Sequence, residues 1–317
     1  MSQGRLPEFF IVGHGKSGTT AMYEMLSAHP QIFMPHCKEP WFFAKELYVR
    51  MPPRPEGTPA TLAEYEALFA DAREDQRAGE ATALYLWSHT AAERIAEQRP
   101  DAKIIAIFRE PASFLRSLHL QFLQTYMETE TDFGKALELE QWRREGHESS
   151  RHTYWPQVLL YSEHVRYVEQ LRRYQALFPP EQMLVLIYDD FRSDNEGTMR
   201  RVMRFLEVDD TAPIVPVEAN PTVSPRSQRL NELVHAVGVG RGPLSRAVKE
   251  SIKAVTPDGP RRRALYGVQR RLVFGKPDAP DEEVMVRLRG RFRNEVAAIS
   301  EHLGRDLVTL WGYDGLG

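Results

Sequence analysis

The chain of 317 residues holds one cysteine, Cys37. A single thiol cannot build an internal disulfide framework, and it excludes a zinc site made of several cysteines. Net charge is nearly absent as well. Against 44 Asp and Glu stand 41 Lys and Arg, leaving a formal charge of −3. No whole-molecule field therefore recruits nucleic acid or a membrane surface. Long hydrophobic runs are missing: none approaches the roughly 18–20 apolar residues that a bilayer crossing needs. The opening segment Met1-Ser2-Gln3-Gly4-Arg5-Leu6-Pro7 carries no apolar signal region before the first strand. These absences lead to the expectation of a soluble cytoplasmic protein. There is no internal repeat and no low-complexity tail, and the length suits one extended α/β domain, with or without a helical appendage.

What the sequence does contain is concentrated in Phe9-Phe10-Ile11-Val12-Gly13-His14-Gly15-Lys16-Ser17-Gly18-Thr19-Thr20-Ala21-Met22. The apolar run reads as a buried parallel strand, and Met22, Met25 and Leu26 mark one face of a helix that follows. Strand, Gly-rich turn and helix start together form an anion site. Unpaired main-chain N–H groups and the positive helix end converge there, and Lys16 adds a full charge. The spacing departs from the nucleoside-triphosphate loop G-x-x-x-x-G-K-[ST]. Here Lys16 precedes Gly18-Thr19-Thr20, so the loop is too short to wrap a triphosphate. The apolar strand Ile104–Phe108 also ends in Arg109, where a magnesium-binding Asp would stand.

Elsewhere the pattern predicts strands at 9–12, 31–34, 104–108 and 183–188. It predicts helices at 19–28, 62–69, 90–98, from Pro111, 157–177 and 195–206. Strands alternating with helices predict a parallel sheet covered on both faces, with ligands at the strands' carboxyl ends. The Pro-rich stretch from Met51 to Pro59 and the polar residues 128–155 read as loops, with lid-like insertions near 47–60 and 128–155. Aromatic residues in the second loop, Trp142 and Trp155 among them, either stack on an acceptor or pack the next helix. From Arg241 to Lys276 ten basic residues face only Glu250 and Asp258. This helical segment either receives an anionic acceptor, a carrier protein or a lipid headgroup, or is a solvated face.

The motif Gly-x-x-Lys-Ser-Gly-Thr-Thr after the first strand resembles the 5′-phosphosulfate loop of sulfotransferases that use 3′-phosphoadenosine 5′-phosphosulfate (PAPS). Arg109-Glu110-Pro111-Ala112-Ser113-Phe114-Leu115-Arg116-Ser117 is similar to that family's second signature, an Arg closing a strand and a Ser eight residues on. Lys38-Glu39-Pro40-Trp41-Phe42-Phe43, Ile187-Tyr188-Asp189-Asp190-Phe191 and Leu303-Gly304-Arg305-Asp306-Leu307 with Trp311 extend the likeness over most of the chain in the expected order. The resemblance implies one sulfotransferase domain over residues 1–317. Its fold would be a three-layer, P-loop-like α/β fold with a central parallel sheet flanked by helices and mainly helical C-terminal and lid segments.

It also implies roles. Lys16 would stabilise the leaving group, with His14, Gly15, Ser17, Gly18, Thr19 and Thr20 around the 5′-phosphosulfate and the Thr hydroxyls capping the helix. Arg109 and Ser117 would hold the 3′-phosphate, and Glu39, the glutamate of the glycosaminoglycan-type motif, would be the general base. Trp41, Phe42 and Phe43 are expected to desolvate that carboxylate. Tyr188 either contacts the adenine or belongs to the core, and His14 is either a neutral donor in the loop or an exposed bystander. Two departures stand out. Where many relatives have a lysine, the segment Gly79-Glu80-Ala81-Thr82 has Ala81. No C-terminal Arg-Lys-Gly completes the 3′-phosphate site, for which Arg226, Arg261-Arg262-Arg263 or Gly275-Lys276 are substitutes. No metal is implied, since the transferring group carries less charge than a phosphoryl group. The acceptor would be a small molecule, glycan or lipid, and nucleic acid is not expected. The competing reading is a non-catalytic or kinase-like nucleotide-binding protein with a carrier-protein partner.

Overall fold

The computed structural model describes residues 4–47, 58–147, 155–215, 217, 224–225 and 274–315. Strand β1 (Phe9–Gly13) is buried along its whole length. Its alternating side chains serve two cores. Phe9 and Ile11 join Met22, Met25 and Leu26 of helix α1 (Thr19–Ser27), while Phe10 meets Phe43 edge-on at 5.7 Å on the other face. A strand covered on both sides needs a continuous apolar run, which is what the sequence supplies. Each fully buried Met or Leu of α1 contributes about 1.5–3 kcal/mol. That anchorage fixes the start of α1 beside the end of β1.

Five strands form one sheet in the order β2-β3-β1-β4-β5. The others are β2 (Ile32–Phe33), β3 (Arg77–Ala81), β4 (Lys103–Phe108) and β5 (Met183–Ile187), and every pairing is parallel. Helix α8 (Asn195–Phe205) covers the α1 face through Met199 and Val202. On the other face α6 (Tyr167–Gln175) sets Tyr167 against Phe108 at 4.8 Å and bonds Tyr174 to the Tyr85 carbonyl at 2.9 Å. Short helices α2 (Leu62–Ala67), α3 (Ala91–Gln98) and α7 (Tyr188–Ser193) complete the alternation, and α9 (Glu282–Leu303) and α10 (Leu307–Leu310) supply the helical C-terminal part. The α/β fold expected from the sequence is thus present.

The chain divides into two compact units. The first is Met1–Phe114, Ser162–Asn220 and Val286–Gly317, which holds the sheet; the second is Leu115–Tyr161 and Pro221–Met285. Helix α4 (Pro111–Gln124) begins in the first and continues into the second. The second unit corrects the reading of 128–155 as one irregular loop, because Phe133–Arg144 form helix α5, capped by Asp132. Its anchor is a buried ion pair, Arg143 to Glu128 at 2.8 Å, with Tyr161 and the N–H groups of Thr129 and Glu130 satisfying the same carboxylate. A two-residue antiparallel ladder joins β6 (Ser224–Pro225) to β7 (Phe274–Gly275).

Two further expectations change. Residues 157–177 are not one helix: 3₁₀ turns at Pro156–Leu159 and Tyr161–Val165 precede α6. Within the first unit the Gln170 amide donates to the carbonyls of Glu163 and His164 at 3.0 and 3.2 Å, taking the bonds that a continuous helix would have used. Tyr188 does not end β5 but starts α7. Most of the Pro-rich stretch, Arg226 and residues 241–273 lie outside the described residues. Among those described, no helix is long and apolar enough to cross a membrane.

Candidate active site

Four adjacent strands of the first unit present their carboxyl ends to one edge, the place where open parallel sheets bind ligands. Loop 13–18 leaves β1, Glu39 hangs from the end of β3, Arg109 follows β4 and Tyr188 follows β5. The loop is shaped by close approach. Gly13 has φ 145°, and a Cβ there would lie 2.6 Å from the Ala83 carbonyl oxygen. Gly18 has φ 88°, with the Phe191 ring 2.8 Å from where a Cβ would be. Only glycine fits either place. The amides of Gly15, Ser17, Gly18 and Thr19 make no hydrogen bond to other described residues, and the N-cap of α1 has no side-chain partner. The expectation that Thr19 or Thr20 caps α1 is thereby corrected: Gly18 occupies the cap. Four unspent donors at a helix start suit an anion. Replacing Gly18 with Ala is expected to destabilise the protein by about 1–3 kcal/mol, read as a lower thermal midpoint, because the Cβ meets a ring and the backbone is strained.

His14 stands elsewhere than the sequence suggested. Its N–H staples the loop to the Ile107 carbonyl at 2.7 Å. Its imidazole is buried among Phe108, Phe114 and Tyr167, with Nε2 2.7 Å from Gln170 Oε1. Burial, aided by nearby His164, lowers its pKa to about 3, so the ring is neutral. The side chain is therefore a core element, neither an exposed bystander nor a loop donor.

Lys16 adopts the left-handed conformation at φ 61°, costly for a lysine. Arg109 braces it, donating from Nη1 to the Lys16 carbonyl at 2.7 Å. Arg109 is itself held by the Tyr167 hydroxyl on its carbonyl at 2.8 Å and lies over the Tyr188 ring at 4.8 Å. Burial opposes its charge. It makes no ion pair with its neighbour Glu110 or with Asp101. Glu110 accepts the N–H groups of Ala112 and Ser113 at the start of α4 and the Tyr313 hydroxyl, and Asp101 pairs with Arg99. Ser117 is buried on α4, in the second unit.

Tyr188 and Phe191 are fixed by the meeting of two sequence motifs. Arg305 forks onto Asp190, with Nη2 to Oδ1 at 2.7 Å, and Trp311 Nε1 donates to Asp189 at 2.8 Å. The C-terminal motif thus buttresses the helix that walls the loop.

Glu39 also has a left-handed backbone, at φ 59°, as does Trp41 at φ 54°. The Glu39 N–H donates to the Ala81 carbonyl at 3.0 Å, and its carboxylate takes Lys38 Nζ at 2.7 Å while staying part-exposed. Phe42 and Phe43 do not shield it. They turn to Tyr65, stacked at 4.5 Å and edge-on at 5.1 Å, and so enclose Glu80. Glu80, which the sequence offered only as a neighbour of Ala81, is fully buried there. Its signal was an acid inside the small-residue segment Ala78-Gly79-Glu80-Ala81. Burial raises its pKa to about 7.

A family model described as "Sulfotransferase domain" matches residues 6–224. Among curated proteins the chain is similar to mouse heparan sulfate glucosamine 3-O-sulfotransferase 3A1, 28% identical over 204 residues, covering 64% of this chain and 46% of that one. It is also similar to human carbohydrate sulfotransferase 15, 24% identical over 250 residues, 64% and 44% respectively. The chain thus spans about half the length of these relatives. Among solved structures it is similar to the crystal structure of a sulfotransferase from Alicyclobacillus acidocaldarius, at TM-score 0.65 and 25% identity over 97% of this chain and 99% of that one.

Proposed function

This chain belongs to the sulfotransferase domain family, and from that premise we propose that it transfers the sulfuryl group of PAPS to a hydroxyl or amine on a carbohydrate, glycolipid or natural product. One observation carries the reading: the amides of Gly15, Ser17, Gly18 and Thr19, the strained Lys16 and its brace Arg109 gather at one strand edge. Such a hollow suits one phosphosulfate better than a triphosphate. The curated relatives' names, heparan sulfate and carbohydrate sulfotransferase, support a sugar acceptor.

In the reaction an acceptor oxygen or nitrogen attacks sulfur, and the bond from sulfur to the phosphate oxygen breaks. Its electron pair leaves with adenosine 3′,5′-bisphosphate (PAP), and the acceptor proton passes to Glu39. Negative charge grows on the departing phosphate. Preorganised amides and the Lys16 ammonium favour that state over the ground state. Arg109 offers a planar fork for the nucleotide's 3′-phosphate.

Replacement of Arg109 by Met is expected to weaken PAP binding about 10–100-fold in a calorimetric titration, the worth of one or two charge-assisted bonds. Turnover should fall as well, since Lys16 loses its brace. Affinity equal to that of the wild type would remove Arg109 from the donor site. The reading as a whole is tested by incubating the protein with ³⁵S-labelled PAPS and a panel of oligosaccharide, phenol and amine acceptors. Label is expected in a saccharide fraction. PAP binding without transfer to any acceptor would reduce the protein to a nucleotide binder.

A further inference from the structure

Glu80 is a buried ionisable group that this reaction scheme leaves unused. It has no solvent exposure and sits one residue before Ala81, whose carbonyl accepts the Glu39 N–H. Three hydroxyls converge on its carboxyl: Thr82 Oγ1 at 2.5 Å, Tyr85 at 3.3 Å, and Tyr65. The Tyr85 hydroxyl also accepts the Phe43 N–H at 3.2 Å, and the Tyr65 ring is stacked on Phe42. The segment bearing Glu39 is therefore fastened twice. One tie runs from its own main chain to β3, the other from Phe42-Phe43 to the hydroxyls that Glu80 gathers. We propose that Glu80 is a positioning residue for Glu39, holding residues 39–43 through Tyr65 and Tyr85 and acting on the Glu39 carboxylate by repulsion once it is itself ionised. This rests on Glu39 being the acceptor's base.

The titratable groups facing Glu80 are Glu39 and Cys37 from that segment, Tyr65 from α2, Tyr85 after β3 and Tyr174 from α6. Among these described residues none is a cation, while Lys38 Nζ lies 2.7 Å from the Glu39 carboxylate. Burial dominates the upward shift of Glu80, the three hydroxyl bonds oppose it, and the charge of Glu39 adds to it. Below about pH 7 the carboxyl is neutral and one hydroxyl must accept its proton. Above that pH all three hydroxyls donate to an anion. Ionised Glu80 sets a second negative charge beside the Glu39 carboxylate, and the two repel. The stability sign follows from linkage. The folded value exceeds the ordinary 4.5, so the contribution is fullest below 4.5 and is lost as pH rises through about 7.

The test uses Glu80→Gln, neutral at every pH, and Tyr85→Phe, which keeps the ring and cuts the tie to Phe43. The ratio of kcat at pH 8 to kcat at pH 6 should be about threefold larger in the wild type than in E80Q, with PAP affinity equal in both. Y85F should keep the pH inflection and lose about tenfold in kcat with PAP affinity unchanged. An unaltered pH profile in E80Q, or full kcat in Y85F, overturns the proposal. Carbon-13 NMR of the wild-type carboxyl needs neither variant to fold nor any acceptor. A Glu80 midpoint near 7 that falls in Glu39→Gln supports the coupling, and a midpoint near 4.5, or one indifferent to Glu39, refutes it. If no acceptor is sulfated by the wild type, the functional reading fails while this titration still decides how Glu80 and Glu39 interact.

Discussion

Glu39→Gln is expected to lower turnover by about 10²–10⁴-fold, the usual worth of a general base, with PAP affinity within about twofold of the wild type. Glutamine keeps the side-chain length and the left-handed backbone at φ 59°, and its main-chain bond to Ala81 is untouched. The ion pair with Lys38 is lost, but it is part-exposed and such pairs contribute at most about 1 kcal/mol. Loss of proton acceptance is then the principal change. The measurement is kcat against an identified acceptor alongside calorimetric PAP binding. Parallel losses in both would show that Glu39 shapes the donor loop and does not take the proton.

Lys16 carries the second large effect. Lys16→Met should reduce kcat by about 10²–10³-fold, corresponding to about 3–4 kcal/mol of transition-state stabilisation. Lys16→Gly separates chemistry from folding. Glycine adopts φ 61° without penalty, so its thermal midpoint should equal or exceed that of Lys16→Met while its turnover is equally poor. A protein that tolerates the left-handed lysine only for structural reasons would show the opposite, with lost stability and retained turnover.

The residues proposed for the donor were more legible in the sequence than those proposed for the acceptor. Phe9–Val12, Ile104–Phe108 and Met183–Ile187 are continuous apolar runs, so their burial in the sheet and the placing of loop 13–18 and Arg109 at its edge follow from composition. Strand β3 was not legible. Arg77-Ala78-Gly79-Glu80-Ala81 has no β-branched residue, and its strand state is set by pairing with Phe9–Ile11 and Ile32–Phe33. Gly79 is small because the Phe9 ring lies where its side chain would be. For the same reason the sequence set Phe42 and Phe43 around Glu39, when tertiary packing turns them to Tyr65 and Glu80. His14 was misplaced because its partner, Gln170, is 156 residues away. The C-terminal motif was recognisable as a pattern, but its work, Arg305 on Asp190 and Trp311 on Asp189, needed coordinates.

On the proposed reading, main-chain amides with Lys16 form a hollow for one sulfonated phosphate. Calorimetric titration of the protein with PAP, and separately with ATP and magnesium, addresses it most directly. Saturable PAP binding that Lys16→Met or Arg109→Met weakens, with ATP and magnesium far weaker, is expected. Tight binding of ATP with magnesium and none of PAP would contradict it.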